Sequence, residues 1–377
     1  MEQGLELNRY LKQLEQLVNI DCGSHSPEGI AQVANLLTPL FEELGFAVTR
    51  HQFDDKAGPC LEITNKPGAT EYDVMLCGHM DTVFPEGTVA SRPMTTDAKK
   101  AYGPGVSDMK SGILSAWYAL SSLSETERER LSIVITLNCD EEIGSVYSRN
   151  WLEGIARKSR QVLVCEAARA CGNLIRSRKG NAKYELEFHG VASHAGSALA
   201  EGVSAIYELA QWSLAIKEMV NLETGTTLNV GVIEGGVAVN VVPEYAKAIV
   251  DLRFWDTDEA DVIHQRLQKM AETPFEKGAR VRVNRLAFKP SMRPTSDTQS
   301  LIALVSDEAD KLGLSYGWED AGGGSDGNFT AAIGTPTLDG FGPLGAGFHS
   351  DKEYLILDSI EPRIILLANV LRRLSAS

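Results

Sequence analysis

The stretch Asp73-Val74-Met75-Leu76-Cys77-Gly78-His79-Met80-Asp81-Thr82-Val83 decides how the chain folds. It is an apolar run that stops at a glycine, a histidine and, two residues later, an aspartate. A short, continuously apolar run of this kind suits a strand covered on both faces. The design recurs twice downstream. Leu131–Leu137 (Leu-Ser-Ile-Val-Ile-Thr-Leu) leads into Asn138-Cys139-Asp140-Glu141-Glu142-Ile143-Gly144-Ser145, and Gln161–Cys165 (Gln-Val-Leu-Val-Cys) leads into Glu166. Between the first two runs, Ile113, Leu114, Trp117, Leu120 and Leu123 fall near helical spacing. Strand, helix, strand in this order predicts an α/β layer with a largely parallel sheet. Upstream, Leu5, Leu7, Leu11, Leu14, Leu17 and Val18 predict one helix. Val33, Leu36, Leu37, Leu40 and Leu44 predict a second, which Gly45 ends at C′.

The pattern changes near residue 180. Lys183–Phe188 alternates polar and apolar residues, the mark of a strand with one wet face. A helix is expected over about 202–219, then strands over Thr226–Ile233 and Ala246–Trp255. A helix from Asp256 to Ala271 follows, and a last strand, Arg280–Leu286, carries Val281, Val283 and Leu286. The order β-α-β-β-α-β is the ferredoxin-like split unit. The expected organisation is therefore a discontinuous catalytic domain, 1–179 and 290–377, interrupted by an inserted domain over 180–289.

A length of 377 residues agrees with two domains at roughly 150 residues each. With 43% hydrophobic and 23% charged residues, the chain can bury real cores, which excludes collagen-like, disordered and coiled-coil classes. No apolar run approaches the roughly 18 residues of a membrane helix. The net charge of −15 has the wrong sign for a nucleic-acid or anionic-membrane partner, so neither is expected. The N-terminal residues Met1–Asn8 show no basic n-region or continuous apolar segment. Six cysteines include no CxxC pair, and Cys77, Cys139 and Cys165 sit in or at the end of apolar runs as core residues would. These features predict a cytoplasmic protein.

The chemistry-bearing residues gather at strand ends. His79 with Asp81 fits a metal-binding imidazole whose second nitrogen needs an acceptor, although alone it could be an ordinary turn. Asp108, in Tyr102–Gly112, could equally cap the helix that follows. The glycines around it fit neither nucleotide fingerprint. Asp140, Glu141 and Glu142 in succession need either solvent or a cation, and Glu166 repeats the theme. Three strand-like runs thus deliver a His or carboxylate at the edge where open α/β sheets build their sites. Later, Gly322–Asn328 and Gly345–Ser350 add backbone able to approach a ligand closely, and a second histidine, His349. Asp108, Glu142 and Glu166 bring three negative charges; two divalent cations bring four positive ones, and one bridging hydroxide closes the balance. Mixed His and carboxylate donors suit Zn2+, with Co2+ and Mn2+ also accepted. His25, His51, His189 and His264 read as surface or packing residues, and Asp54-Asp55 and Glu125-Thr126-Glu127 as solvated turns.

Together these residues resemble the co-catalytic zinc metallopeptidase family that includes bacterial glutamate carboxypeptidase of the folate-cleaving type, aminoacylase, acetylornithine deacetylase and succinyl-diaminopimelate desuccinylase. The resemblance rests on Gly78–Val83, Gly103–Gly112, Asp140–Ser145, Glu166, Ser193–Gly196, Gly322–Asn328 and His349–Tyr354, in the family's order and spacing. The wording is nearest the glutamate carboxypeptidase branch. The resemblance implies two divalent ions per chain, one held by His79, Asp108 and Glu166 and the other by Asp108, Glu142 and His349. Asp81 would orient His79. Glu141 would be the general base for attack of a water held between the metals on an amide carbonyl. The inserted segment would be a lid and dimerisation domain, with His194 reaching the other subunit's site to stabilise the oxyanion. Arg253 and Asn240 resemble lid groups near the substrate. Lys289 or Arg293 lies where a carboxylate-binding arginine is found, and Gly323 and Gly324 border the substrate in the late glycine-rich motif. Ser111, Leu199 and Ser204 depart from the family pattern. The implied activity is an exopeptidase releasing a C-terminal amino acid such as glutamate, from a small peptide or N-acyl-amino-acid substrate. A deacylase of N-acyl-amino acids is the alternative, and an inactive metal-bound binding protein a remoter one.

Overall fold

A computed structural model describes residues 5–375; residues 1–4, where the stretch read for an export signal begins, lie outside the described residues. The chain divides into two compact units. One runs to Ser177 and resumes over Met292–Ala321 and from Ser325, while the other comprises Arg178–Ser291 and Gly322–Gly324. The junctions fall just outside residues 180 and 289. The triple glycine, expected with the catalytic portion, groups with the second unit.

In the first unit a six-stranded sheet has the order Ala47–His51, Cys60–Thr64, Ile133–Asn138, Val74–His79, Val162–Val164, Thr337–Leu338. The last four strands are parallel, and the first two add an antiparallel edge. Alternation along each strand feeds two cores. Val74, Leu76, Ile133, Ile135 and Leu137 pack into one, and Met75, Cys77, Val134, Val162 and Val164 into the other. Both faces being covered is why these strands read as continuous apolar runs. The register sets His79 opposite Asn138 and Cys77 opposite Val164, so the three strands end at one edge. His79, the Asp140–Glu142 turn and Glu166 therefore leave the sheet side by side.

Local signals explain the flanking helices. Pro27–Glu43 opens with proline at its first position and ends at Gly45, at φ 81°. There Gly45 N–H donates to the Glu42 carbonyl (2.9 Å) and Phe46 N–H to that of Phe41 (3.2 Å), a Schellman closure. Glu125-Thr126-Glu127 is not a solvated turn as expected. It opens the short helix Glu125–Glu129, where Ser124 and Glu127 form a reciprocal capping box and Glu127 also accepts from Arg372 Nε at 3.0 Å. A five-stranded sheet of short strands, with Gly342–Ala346 beside Ala167–Arg169 and Tyr354–Ile356, has no sequence signature because its strands are too short to show a period.

The second unit has the expected β-α-β-β-α-β order. Its antiparallel sheet runs Thr227–Gly235, Tyr245–Phe254, Gly180–His189, Arg280–Lys289. Ala182, Tyr184, Leu186 and Phe188 turn one face of the central strand inward, under helices Ala205–Lys217 and Thr257–Glu272. Side chains of Ser204 and Asp256 cap these helices. Leu286 does not continue the buried row of Val281 and Val283. Three residues on from Val283 it points to the other face, 52% exposed, and a bulge opposite Lys183 and Tyr184 shifts the alternation so that Phe288 resumes the packing. Five of the six cysteines are buried, Cys171 is exposed, and all are free thiols. Among the described residues no helix is long and apolar enough to cross a membrane.

Candidate metal centre

At the shared strand edge Asp108 stands between two histidines. Its Oδ1 lies 3.2 Å from His79 Nε2 and its Oδ2 3.2 Å from His349 Nε2. Glu166 Oε1 joins the first histidine at 3.3 Å, and Glu142 Oε2 the second at 3.2 Å. Two mixed sets of one imidazole and one carboxylate are thus linked through one shared carboxylate. Donor atoms of His79, Asp108 and Glu142 lie within 4.8 Å of one another. Asp108 does not cap the following helix. Its own backbone is non-helical (φ −111°, ψ 92°) and both carboxylate oxygens are turned to imidazoles. Gly112 lets that helix close on the Glu166 strand, because a Cβ there would meet the Cys165 carbonyl oxygen at 1.8 Å. His349 is held in the left-handed region at φ 61°.

Asp81 fixes His79. Its Oδ1 lies 3.2 Å from His79 Nδ1, and its oxygens also accept from Glu141 N–H (3.2 Å), Glu142 N–H (3.1 Å) and the Ser24 hydroxyl (2.6 Å). With Nδ1 so engaged, Nε2 is left to face Asp108 and Glu166. The three successive acids part company. Asp140 turns away to accept from Tyr147 N–H (2.6 Å) and from Ser148 through its amide and hydroxyl. Glu141 opens the turn Glu141–Ile143, largely buried, while Glu142 faces His349.

Two residues that hold this arrangement have no sequence signal. Ser24 is one. The other, Glu353, is fully buried and accepts from the backbone N–H groups of Gly105 (3.0 Å), Ser107 (2.9 Å) and Asp108 (2.9 Å), so it clamps the turn that presents Asp108. Glu353 stood inside the His349–Tyr354 motif, but nothing in the sequence says which backbone it grips.

The electrostatics show what the donor set asks for. Burial pushes the Glu142 carboxyl up to about 7 and the Glu166 carboxyl up to about 8. Hydrogen bonds to Asp108 and Glu142 pull His349 up to about 10. Burial works against a charged His79, but Glu166, Asp108 and Asp81 outweigh it and hold that ring well above its usual value. For Asp108 burial is likewise outweighed, here by the two imidazoles, and it falls below the ordinary carboxylate range. Without cations the site must hold protons to compensate its carboxylates. Divalent cations would do the same work, and the nitrogen and oxygen donors fit them.

The remaining candidates, Arg293 excepted, belong to the second unit. In the second unit His194 is exposed, with Nδ1 accepting from Gly196 N–H (3.1 Å) and Ser197 N–H (3.2 Å). Asn240 is exposed and its carbonyl accepts from Ala195 N–H. Arg253 Nε donates to Asp251 at 2.9 Å. Lys289 is buried at the end of its strand, and the Gly323 carbonyl accepts from Arg178 at 3.0 Å, beside Gly324. Arg293 is exposed and belongs to the first unit.

At the carboxyl edge of the parallel strands His79, Glu142 and Glu166 meet Asp108 and His349, which follow strands of the five-stranded sheet, and this mixed imidazole and carboxylate set is the donor set of a metallohydrolase. Residues 75–373 match the Peptidase family M20/M25/M40, and the chain belongs to that family of metal-dependent hydrolases of C–N bonds. It is 31% identical over 373 residues to carboxypeptidase G2 of Pseudomonas sp. (strain RS-16), covering 97% of this chain and 89% of that one. It is 26% identical over 329 residues to acetylornithine deacetylase of Myxococcus xanthus, with 81% and 83% covered. Among solved structures, aminopeptidase PepT from Bacillus cereus shares the fold, with a TM-score of 0.80 at 22% identity over 99% of this chain and 100% of that one.

Proposed function

We propose that the chain is a two-metal carboxypeptidase that releases a C-terminal amino acid, glutamate being the first candidate. The observation that carries the two-metal reading is the Asp108 carboxylate, each oxygen of which faces a different histidine. His79, Asp108 and Glu166 would hold one cation and Asp108, Glu142 and His349 the other, with Zn2+ best suited to these donors and Co2+ or Mn2+ accepted. Bound there, the cations would supply a polarised amide carbonyl and a water acidified from about 16 towards neutrality.

Around that chemistry the chain's own groups have distinct tasks. Asp81 fixes the tautomer and orientation of His79. Glu141, at the mouth of its turn, takes the proton of the attacking water and returns it to the departing amine nitrogen. His194 has its Nδ1 occupied as an acceptor, which leaves Nε2 as the donor it would offer a developing oxyanion. Arg253, Asn240, Lys289 or Arg293, with the backbone of Gly323 and Gly324, are the candidates for the substrate's amino-acid part. The similarity to carboxypeptidase G2 over nearly the whole chain supports this substrate class over the N-acyl-amino-acid deacylase alternative.

The second unit would act as the lid and dimerisation domain. Its sheet has Thr227–Gly235 as an edge strand, paired on one side, with Val232 and Ile233 exposed, and Ile206, Tyr207 and Leu214 are exposed on the Ala205–Lys217 helix. That combination suits a second copy of the chain better than water. Free, mostly buried thiols suit the cytoplasm.

The test is hydrolysis of N-acyl-glutamates, dipeptides, acetylornithine and succinyl-diaminopimelate by zinc- or cobalt-loaded protein, against chelator-treated protein and Glu141→Ala. Chelator-sensitive release of glutamate, lost by several orders of magnitude in Glu141→Ala, is the expected result. A preference for acetylornithine would favour the deacylase, and activity indifferent to both changes would refute the mechanism.

A further inference from the structure

Asp326, in the late glycine-rich motif, has no task in the chemistry described so far, yet its carboxylate is buried in the first unit, the residue being 2% exposed. Burying such a charge is unfavourable unless its oxygens are hydrogen-bonded. The residue opens the helix Gly327–Ala332, but its side chain does not cap that helix. The carboxylate is turned to the loop that leaves the strand Ile133–Asn138, and it grips that loop at both ends. Oδ2 accepts from Asn138 Nδ2 at 2.8 Å, and Oδ1 accepts from the Ser145 hydroxyl. Glu141 and Glu142 lie between these two contacts.

The loop needs such a brace. Its turn Glu141–Ile143 is short, closed by Gly144 N–H on the Glu141 carbonyl (2.8 Å) and Ser145 N–H on that of Asp140 (2.7 Å). Ser145 stands at φ 55°, a left-handed conformation that a residue with a side chain keeps only where its surroundings impose it. The same network takes in Asp140, since Asn138 Nδ2 donates to the Ser148 hydroxyl at 3.0 Å and that hydroxyl donates to Asp140. Asp326 is itself anchored on both sides. Its neighbour Ser325 donates to Asp339 at 2.6 Å, just beyond the parallel strand Thr337–Leu338, and Arg149 lies 4.6 Å over the ring of Phe329.

Both groups that reach Asp326 from the loop are donors. A carboxylate accepts from both at once, whereas an amide would turn its own NH2 towards one of them. We infer that Asp326 is a positioning residue that sets, from both ends, the loop carrying Glu141 and Glu142. The inference rests on the metal-ligand role proposed above for Glu142. Ser145 lies three residues beyond Glu142, which meets His349 at 3.2 Å, so a loop released at Ser145 loses the placement of that carboxylate. The Glu141 and Glu142 N–H groups also donate to Asp81, so the same release disturbs the partner of His79.

The experiment measures zinc affinity by chelator competition, and the absorption of the cobalt-loaded protein, which follows the geometry of the metal's ligands. The variants are Asp326→Ala, Asp326→Asn and Ser145→Gly, with Glu142→Gln and Leu301→Ala as references. Ser145→Gly removes the hydroxyl while easing the left-handed backbone, so it gives a folded protein even where an Asp326 variant does not. Leu301→Ala truncates a core side chain of the helix Ser296–Lys311 and touches none of these hydrogen bonds. Asp326→Ala and Ser145→Gly are expected to lose ~10–100-fold in zinc affinity and to shift the cobalt spectrum towards that of Glu142→Gln. Asp326→Asn, which keeps one of the two bonds, should lose less. Leu301→Ala should lower the urea midpoint and leave affinity and spectrum unchanged. Wild-type affinity and an unmoved spectrum in Ser145→Gly and the folded Asp326 variants overturn the inference, and so does an equal loss in Leu301→Ala. If Glu142→Gln itself changes nothing, the ligand role of Glu142 falls and the inference with it. If Glu142→Gln alone disturbs the metal, only the inference falls.

Discussion

Glu353→Gln and Glu353→Ala remove, in graded steps, the acceptor that holds the turn presenting Asp108. Oε1 accepts from Ser107 and Asp108 and Oε2 from Gly105. A glutamine can keep the first two with its carbonyl oxygen, but its amide group then faces the Gly105 N–H. One buried donor is left unpaired, at about 1–3 kcal/mol. Some of that is offset, because burial pushes the Glu353 carboxyl up to about 7 and a neutral amide escapes this penalty. Alanine strands all three donors, roughly 3–9 kcal/mol before water enters, against a total stability of about 5–15 kcal/mol. Urea unfolding of metal-free protein reads the stability, and competition with a chelator reads the zinc affinity. Glu353→Gln should fold with a lowered midpoint and lose about 10–100-fold in affinity, as other groups supporting metal ligands do, and Glu353→Ala should be worse on both counts. Wild-type midpoints and affinity in both variants would refute the claim that Glu353 positions Asp108.

Other outcomes follow from the same geometry. Ser24→Ala removes the 2.6 Å hydroxyl bond to Asp81 and should weaken zinc binding by ~10-fold, read by the same competition, with little change in the unfolding midpoint. Metal binding should release protons. Glu142 and Glu166, raised to about 7 and about 8, hold protons at pH 6 that a metal must displace, so affinity should climb as pH rises from 6 to 8, and His349, raised to about 10, extends the release beyond that. Calorimetry in buffers of different ionisation enthalpy measures this, and pH-independent affinity would contradict it. Two glycine substitutions should have opposite signs in urea unfolding, since a Cβ at either position meets no atom within 4 Å. Gly45→Ala should cost about 1–2 kcal/mol because its φ of 81° is left-handed, whereas Gly154→Ala, inside the helix Arg149–Ala156, should gain up to about 1 kcal/mol.

The parts of the fold legible in the sequence are those where one physical demand dominates. Val74–Cys77 and Ile133–Leu137 had to be apolar on both sides because both faces of the sheet are covered, and that same demand makes a His or Glu at their ends conspicuous. The residues brought together at the strand edge were therefore open to a sequence reading. Ser24 and Glu353 were not, because each acts by reaching a partner that only the fold brings near, and a buried serine or glutamate has no period or spacing to betray it. His25, read as surface or packing, is exposed. The Glu125–Glu129 helix was legible in principle, since Ser124 and Glu127 spell a capping box, but its five residues show no apolar face. The bulge at Leu286 was invisible because nothing in Arg285-Leu286-Ala287 marks the extra residue.

Metal analysis combined with zinc-edge anomalous diffraction of the zinc-loaded protein tests the central claim most directly. Two ions per chain are expected, sharing the Asp108 carboxylate, one beside His79 and Glu166 and the other beside Glu142 and His349. A single ion at saturating zinc in protein that still hydrolyses amides, or ions bound away from these side chains, would contradict it.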